Sequence, residues 1–206
     1  MEIRIGVRPS PLAVRQVEEV LEFLKGMYPE ATFVVQTIFT RGDKDKTTPL
    51  SEVKEADFFT REIDEALLRG DIDVAVHSSK DLPIVLPQGL KVLFETESIS
   101  RFDALVSKGN HKLTELALGS RIGVSSQRRR NDLKVLRDDL KIVDVRGNIE
   151  ERLALIDVGK IDALILAHAA LIRLGLEEKI AEVFPLDIFR THPKQGSLSL
   201  VAQGEA

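Results

Sequence analysis

The chain has no cysteine and no tryptophan, and only 1 tyrosine and 2 methionines among its 206 residues. Without a thiol there is no disulfide, no thiolate nucleophile and no sulfur on which a cofactor could be anchored. The 4 histidines are scattered rather than grouped, so neither a zinc site nor any other metal site is expected. No stretch approaches the roughly 18 apolar residues of a membrane span, and Met1-Glu2-Ile3-Arg4 opens without the long apolar segment of a secretory signal. These absences point to the cytoplasm and to no membrane partner. Positive charge is also short: 29 Lys and Arg against 33 Asp and Glu give a net charge of -4, which argues against a general nucleic-acid binder. What is present is the composition of an ordinary globular chain, 43% hydrophobic and 30% charged, long enough for one large domain or two small ones.

The order of elements reads α/β. Ile3, Ile5 and Val7 alternate as a strand, and Ala13, Val17, Val20, Leu21 and Leu24 follow at helical spacing, with Ser10 as N-cap and Pro11 as first helical residue. Phe33 to Phe39 reads as a strand. Thr40 to Glu55 reads as a polar loop long enough for a lid. Phe59, Ile63, Ala66 and Leu67 mark a helix ended by Gly70, and Ile72 to Val76 returns as a strand. From about residue 101 the pattern starts again. Strands are expected at 103–106, 121–124, 141–145 and 162–166, helices after Ser125-Ser126, over 149–158 and over 169–174, and a final strand at 197–201.

Two short matches recur in the same order. Arg4-Ile5-Gly6-Val7 returns as Arg121-Ile122-Gly123-Val124, and Gly70-Asp71-Ile72-Asp73 returns as Gly159-Lys160-Ile161-Asp162. On equivalent elements they predict two similar lobes, each a mixed sheet flanked by helices, rather than one continuous sheet. Two such lobes would enclose a cleft at their strand ends.

Chemistry is expected where the run Val74-Ala75-Val76 opens into Ser79-Lys80-Asp81-Leu82-Pro83. Alone, Asp81 fits two roles: a loop or helix cap, or an ionised carboxylate that stabilises a cationic intermediate. Arg8, Lys80, Arg128, Arg129, Arg130, Arg146 and Arg152 lie near predicted strand ends, with Arg8 and Arg128 close to helix N-termini. Such an array suits a polycarboxylate or phosphorylated small molecule. For Arg128 to Arg130 a solvated helical face paired to Asp132 and Asp138 fits as well. His77 and His168 read as hydrogen-bonded structural histidines and Phe58-Phe59 as core, with one ring free to face the cleft.

Five segments taken together carry a resemblance: 4–13 (RIGVRPSPLA), 59–62 (FTRE), 76–83 (VHSSKDLP), 124–129 (VSSQRR) and 140–148 (LKIVDVRGN). The combination resembles the porphobilinogen deaminase, or hydroxymethylbilane synthase, family from residue 3 to about 201. The resemblance implies a transferase of tetrapyrrole (heme) biosynthesis that joins porphobilinogen units into a linear tetrapyrrole with loss of ammonia. It implies Asp81 as the catalytic carboxylate. Arg8, Ser10, Lys80, Ser126, Arg128, Arg129, Arg146, Arg152 and Arg173 fall on positions that hold the carboxylates of cofactor and growing chain, with Phe59, Ser79 and Gln195 as cleft contacts. It also implies a periplasmic-binding-protein-like type II fold, with residues 1–98 and 191–206 in one domain and 99–190 in the other.

The family's third domain supplies a cysteine that carries a dipyrromethane cofactor. Here the resemblance stops before that domain, so dipyrromethane is expected to be held noncovalently or to be absent. A separate chain replacing the third domain is a possible partner, and a non-catalytic binding protein for porphobilinogen or a linear tetrapyrrole is the alternative reading.

Overall fold

The computed structural model describes residues 1–48, 50, 52, 53, 55 and 57–204. The chain runs β1 (Glu2–Val7), α1 (Pro11–Met27), β2 (Thr32–Thr37), α2 (Arg41–Lys44), α3 (Arg61–Arg69), β3 (Val74–Ser78), β4 (Leu90–Glu95), β5 (Asp103–Ser107), β6 (Arg121–Val124), α4 (Gln127–Leu136), β7 (Lys141–Asp144), α5 (Ile149–Asp157), β8 (Ala163–Ala167), α6 (His168–Arg173), β9 (Ile180–Phe184) and β10 (Leu198–Gln203). It divides into two compact units: Met1–Asp45, Lys54–Ile99 and Gly196–Ala206 form the first, and Lys46–Val53 and Ser100–Gln195 the second.

The first unit is a five-stranded mixed sheet of order β2-β1-β3-β10-β4, with β10 antiparallel to both its neighbours. Strand alternation sends Val74 and Val76 to one face and Ala75 to the other. The first face packs under Ala13, Val17, Val20 and Leu24 of α1, together with Ile5, Val7, Leu198 and Leu200. The second packs under Ile63, Ala66 and Leu67 of α3, with Ile72, Leu90 and Val201. Ser10 and Pro11 start α1 as the sequence predicts; the Ser10 hydroxyl accepts from the Ala13 N–H at 3.2 Å. Gly70 ends α3 in the left-handed region at φ 73°, where a Cβ would be strained.

The second unit repeats the plan with order β7-β6-β8-β5-β9, β5 being antiparallel to both its neighbours. Its core gathers Leu105, Ile122, Val124, Leu133, Ala163, Ile165, Phe184 and Phe189. The two sequence matches are one structural device used twice. The Arg4 backbone N–H and guanidinium clamp Asp73 at 2.7–3.0 Å, and Arg121 clamps Asp162 in the same way at 2.7–3.2 Å. Each clamp fixes the start of a parallel strand pair.

One expectation is corrected and two strands are added. The Thr40–Glu55 stretch is not loop throughout: Thr40 and Asp43 form a capping box that nucleates α2. Pro49, Ser51 and Lys54 of that stretch lie outside the described residues. Strands β4 and β9 were not anticipated; both are edge strands that show no alternation of buried and exposed residues. No helix among the described residues is long and apolar enough to cross a membrane.

Candidate functional site

In the first unit β3 delivers the segment singled out from the sequence. Its last residue caps a three-residue 3-10 turn, Ser79–Asp81. Leu82 is extended at φ -74° and ψ 143°, as a residue before proline must be, and this halts the turn at Asp81. Ser79 faces inward: its hydroxyl shares a 2.7 Å hydrogen bond with the buried Ser199 of β10, and its N–H donates to the Ser197 carbonyl at 3.0 Å. Lys80 is half-buried on the turn and Asp81 is exposed.

Asp81 borders a recess that Arg8, Ser10, Gln16, Phe59, Thr60 and His77 also line. Arg8 and Ser10 come from the β1–α1 loop, and Leu12 and Ala13 of the first turn of α1 line the recess with them; Pro11 has no N–H, and those of Ala13 and Val14 donate to Ser10. Gln16, one turn along, donates to the Ser78 hydroxyl at 2.8 Å and ties α1 to β3. The Arg8 guanidinium lies 4.4 Å from the Phe59 ring centroid and donates to Asp43. Phe59 stands edge to face with the buried Phe58, just before α3 rather than on it.

His77 Nε2 and Thr60 Oγ1 are buried at this recess without a hydrogen-bond partner among the described residues. The expectation of a hydrogen-bonded structural histidine therefore fails at Nε2. Burial, then the charge of Arg8, pushes the imidazole down to about 4, so the ring is neutral at pH 7. Buried polar atoms left open on the wall of a recess are groups that a polar ligand can complete.

In the second unit Ser126 caps α4, accepting from the Arg129 N–H at 3.2 Å. The three arginines that follow turn into the fold. Arg128 donates to Asp103 at 2.6 Å, to Asp132 at 3.3 Å and to the Arg190 carbonyl. Arg129 grips Asp103 through Nε at 3.0 Å and Nη2 at 2.6 Å, and Gln195 adds a fourth donor at 2.9 Å. Arg130 pairs with Asp144. The solvated-face reading thus holds for Asp132 alone; no ion pair to Asp138 occurs among the described residues. Burial works to raise the Asp103 carboxyl, but the charges and hydrogen bonds of Arg129 and Arg128 outweigh it and hold the group far below the usual carboxylate range.

Arg152 donates to the Gly147 carbonyl at 2.8 Å and to the Ser125 hydroxyl at 3.0 Å. Arg146 follows β7 half-buried, and Arg173 ends α6 half-buried. His168 meets the expected structural role, with Nδ1 2.9 Å from the Ser100 hydroxyl.

Residue-type reasoning missed Asp43, Asp103 and Gln16 as partners of these side chains. Thr40-x-x-Asp43 was legible as a capping box, and an aspartate at the start of a buried strand requires cations nearby.

Two five-stranded mixed sheets flanked by helices, with polar donors gathered where strands end, define a periplasmic-binding-protein-like type II fold. Solved structures agree at the level of fold. A periplasmic substrate-binding protein of an ABC transporter from Coxiella burnetii superposes with a TM-score of 0.58 at 14% identity, covering 98% of this chain and 84% of its own. The OxyR2 E204G regulatory domain from Vibrio vulnificus gives 0.55 at 13% identity, covering 100% and 88%.

The family model described as "Porphobilinogen deaminase, dipyromethane cofactor binding domain" matches residues 3–206. The porphobilinogen deaminase of Desulforudis audaxviator is 39% identical over 204 residues, spanning 99% of this chain and 66% of that protein. That of Geotalea daltonii is 42% identical over 199 residues, spanning 97% and 62%, and that of Deinococcus radiodurans 42% over 206, spanning 98% and 67%. The chain belongs to the porphobilinogen deaminase family, and it spans about two thirds of the length of these relatives.

Proposed function

We propose that this chain acts in the cytoplasm as a porphobilinogen deaminase-type transferase, joining porphobilinogen units into hydroxymethylbilane with release of ammonia. The observation that carries the reading is Asp81, a carboxylate fixed on a three-residue turn at the rim of a recess that also holds Arg8 and the N-terminus of α1. A pyrrole substrate with two carboxylates needs guanidinium and N–H donors to hold it. The cation that develops as ammonia departs needs one fixed anion beside it.

In this scheme Arg8, Ser10 and the first turn of α1 bind a substrate carboxylate while Phe59 bounds the ring. Asp81 faces the developing positive charge. Neutral His77 offers Nε2 as a hydrogen-bond partner that adds no charge of its own. Lys80, Ser126, Arg128, Arg146, Arg152 and Arg173 hold further carboxylates of the growing chain, and Arg129 supports Arg128 by fixing Asp103.

The donor set and the open polar atoms of the recess fit the carboxylates of a dipyrromethane, and these 206 residues offer no cysteine to anchor it, so they hold it noncovalently or not at all. When bound, that group supplies the pyrrole end to which the next unit is joined.

The test is to incubate the purified chain with porphobilinogen and follow substrate loss, ammonia and tetrapyrrole absorbance, with intact mass under native and denaturing conditions. Turnover is expected, with pyrrole adducts that survive only natively. Asp81→Asn should reduce turnover at least a hundredfold while the chain still folds and still takes up ligand. Uptake without ammonia release by the unaltered chain would favour a binding protein, or a subunit that needs a separate chain. Near-normal turnover by Asp81→Asn would remove Asp81 from the chemistry.

A further inference from the structure

Arg8 is constrained from several directions, all within the first unit. Asp43 accepts from its Nε at 3.1 Å and from its Nη2 at 2.5 Å, and the Phe59 ring covers one face of the guanidinium at 4.4 Å. Asp43 is itself immobilised, because its Oδ2 accepts from the Thr40 N–H at 3.0 Å and from the Thr40 hydroxyl at 2.7 Å, and Thr40 is fully buried. Gly42 beside it leaves the space that Phe59 fills: a Cβ there would lie 2.2 Å from the ring. Burial favours protonating Asp43, but the Arg8 guanidinium and the Thr40 donors hold its carboxyl below the usual range.

A carboxylate on the Nε and Nη2 side leaves Nη1 with no hydrogen bond to a described residue, and Arg8 is a wall of the recess that Asp81 borders. We infer that Asp43 is a positioning residue: it fixes the plane of Arg8 so that the Nη1 end is presented to an incoming carboxylate, setting the affinity of the recess without touching ligand. This rests on reading the recess as the porphobilinogen site. The physical basis is preorganisation. An arginine already held in one rotamer loses less freedom on binding than one that must be ordered by its ligand. A purely architectural Asp43, serving only to cap α2, would have no effect on ligand affinity that depends on Arg8.

The experiment compares Asp43→Asn, Arg8→Lys and the double variant for porphobilinogen binding by calorimetry and for KM and kcat, with thermal unfolding and the NMR exchange rate of the Arg8 Nε–H alongside. Asp43→Asn should raise Kd and KM about tenfold, leave kcat within about twofold, and change affinity less than about twofold once residue 8 is lysine. Its Arg8 Nε–H should exchange at least tenfold faster than in the unaltered chain. Thr40→Val, which removes one anchor of Asp43, should raise Kd about threefold and decides the matter should Asp43→Asn fail to fold. An unchanged Kd, an effect that persists undiminished beside Arg8→Lys, or an Nε–H equally labile before and after substitution would overturn the role. If the unaltered chain showed a protected Nε–H but no affinity for porphobilinogen, the ligand assignment would fail and this role with it, while the Asp43–Arg8 geometry would stand.

Discussion

Asp64 is buried on the first turn of α3, and neither carboxylate oxygen has a hydrogen-bond partner among the described residues. Burial, opposed by the nearby Thr60 side chain and aided by the charges of Asp57 and Glu65, pushes it up from 3.8 to about 6. A group raised in the folded state stabilises fully below its unfolded value and loses that contribution as pH climbs through the folded one. The shift corresponds to about 3 kcal/mol lost between pH 3.8 and somewhat above 6. Asp64→Asn should therefore raise the unfolding free energy at pH 8 by up to that amount, and the gain should vanish at pH 4; urea titrations at the two pH values check it. His77 acts with the opposite sign. Its depressed value means stability lost as pH falls from 6.5 toward about 4, so the two groups oppose each other over most of that window. At this scale the sequence singled out Asp81 and the arginines as candidates, and the structure brings Asp81 and Arg8 to one recess. The sequence did not show who restrains whom, because Asp43 lies 35 positions from Arg8 and Asp103 lies 26 from Arg129.

Elements were legible where burial is periodic. The stretch from β1 to α1 was read with its cap, because Ser10-Pro11 and the 3–4 spacing of Ala13, Val17, Val20 and Leu24 agree. Strand β4 was missed because five consecutive residues, Lys91 to Glu95, are exposed, and an edge with no buried face carries no period of two. The repeated Arg-Ile-Gly-Val was informative for a packing reason. A Cβ on Gly123 would lie 2.8 Å from Ile161, 2.9 Å from Leu164 and 3.0 Å from Val145. Gly123→Ala should cost about 1–3 kcal/mol, the usual range for overpacking, measured by thermal or urea unfolding.

For the whole molecule, the two-lobed plan was legible because two short matches recur in the same order on equivalent strands, β1 with β6 and the start of β3 with that of β8. The segment Lys46–Val53 was not, since it groups with the second unit although its flanks in the chain belong to the first. Lys46 reaches Glu151, the residue that closes the capping box at the start of α5, at 2.5 Å. Ligand linkage is the measurement suited to this scale: porphobilinogen at 100 times its Kd should raise the unfolding free energy by about 2.7 kcal/mol, seen as a concentration-dependent Tm. A Tm indifferent to ligand would mean that no folded-state binding occurs.

The bond between the Ser79 and Ser199 hydroxyls joins positions 120 residues apart. At about 5–20 residues per second of synthesis, the strand that pins the Asp81 turn is made some 6–24 seconds after the turn itself. Until then the β3 edge that β10 will cover is open, and β4 has no partner in the sheet. The second unit, all of it encoded before Gly196, can complete itself first. The Asp81 turn is therefore pinned only once β10 has emerged, and until then the first unit keeps an unpaired sheet edge while the second unit can already be folded.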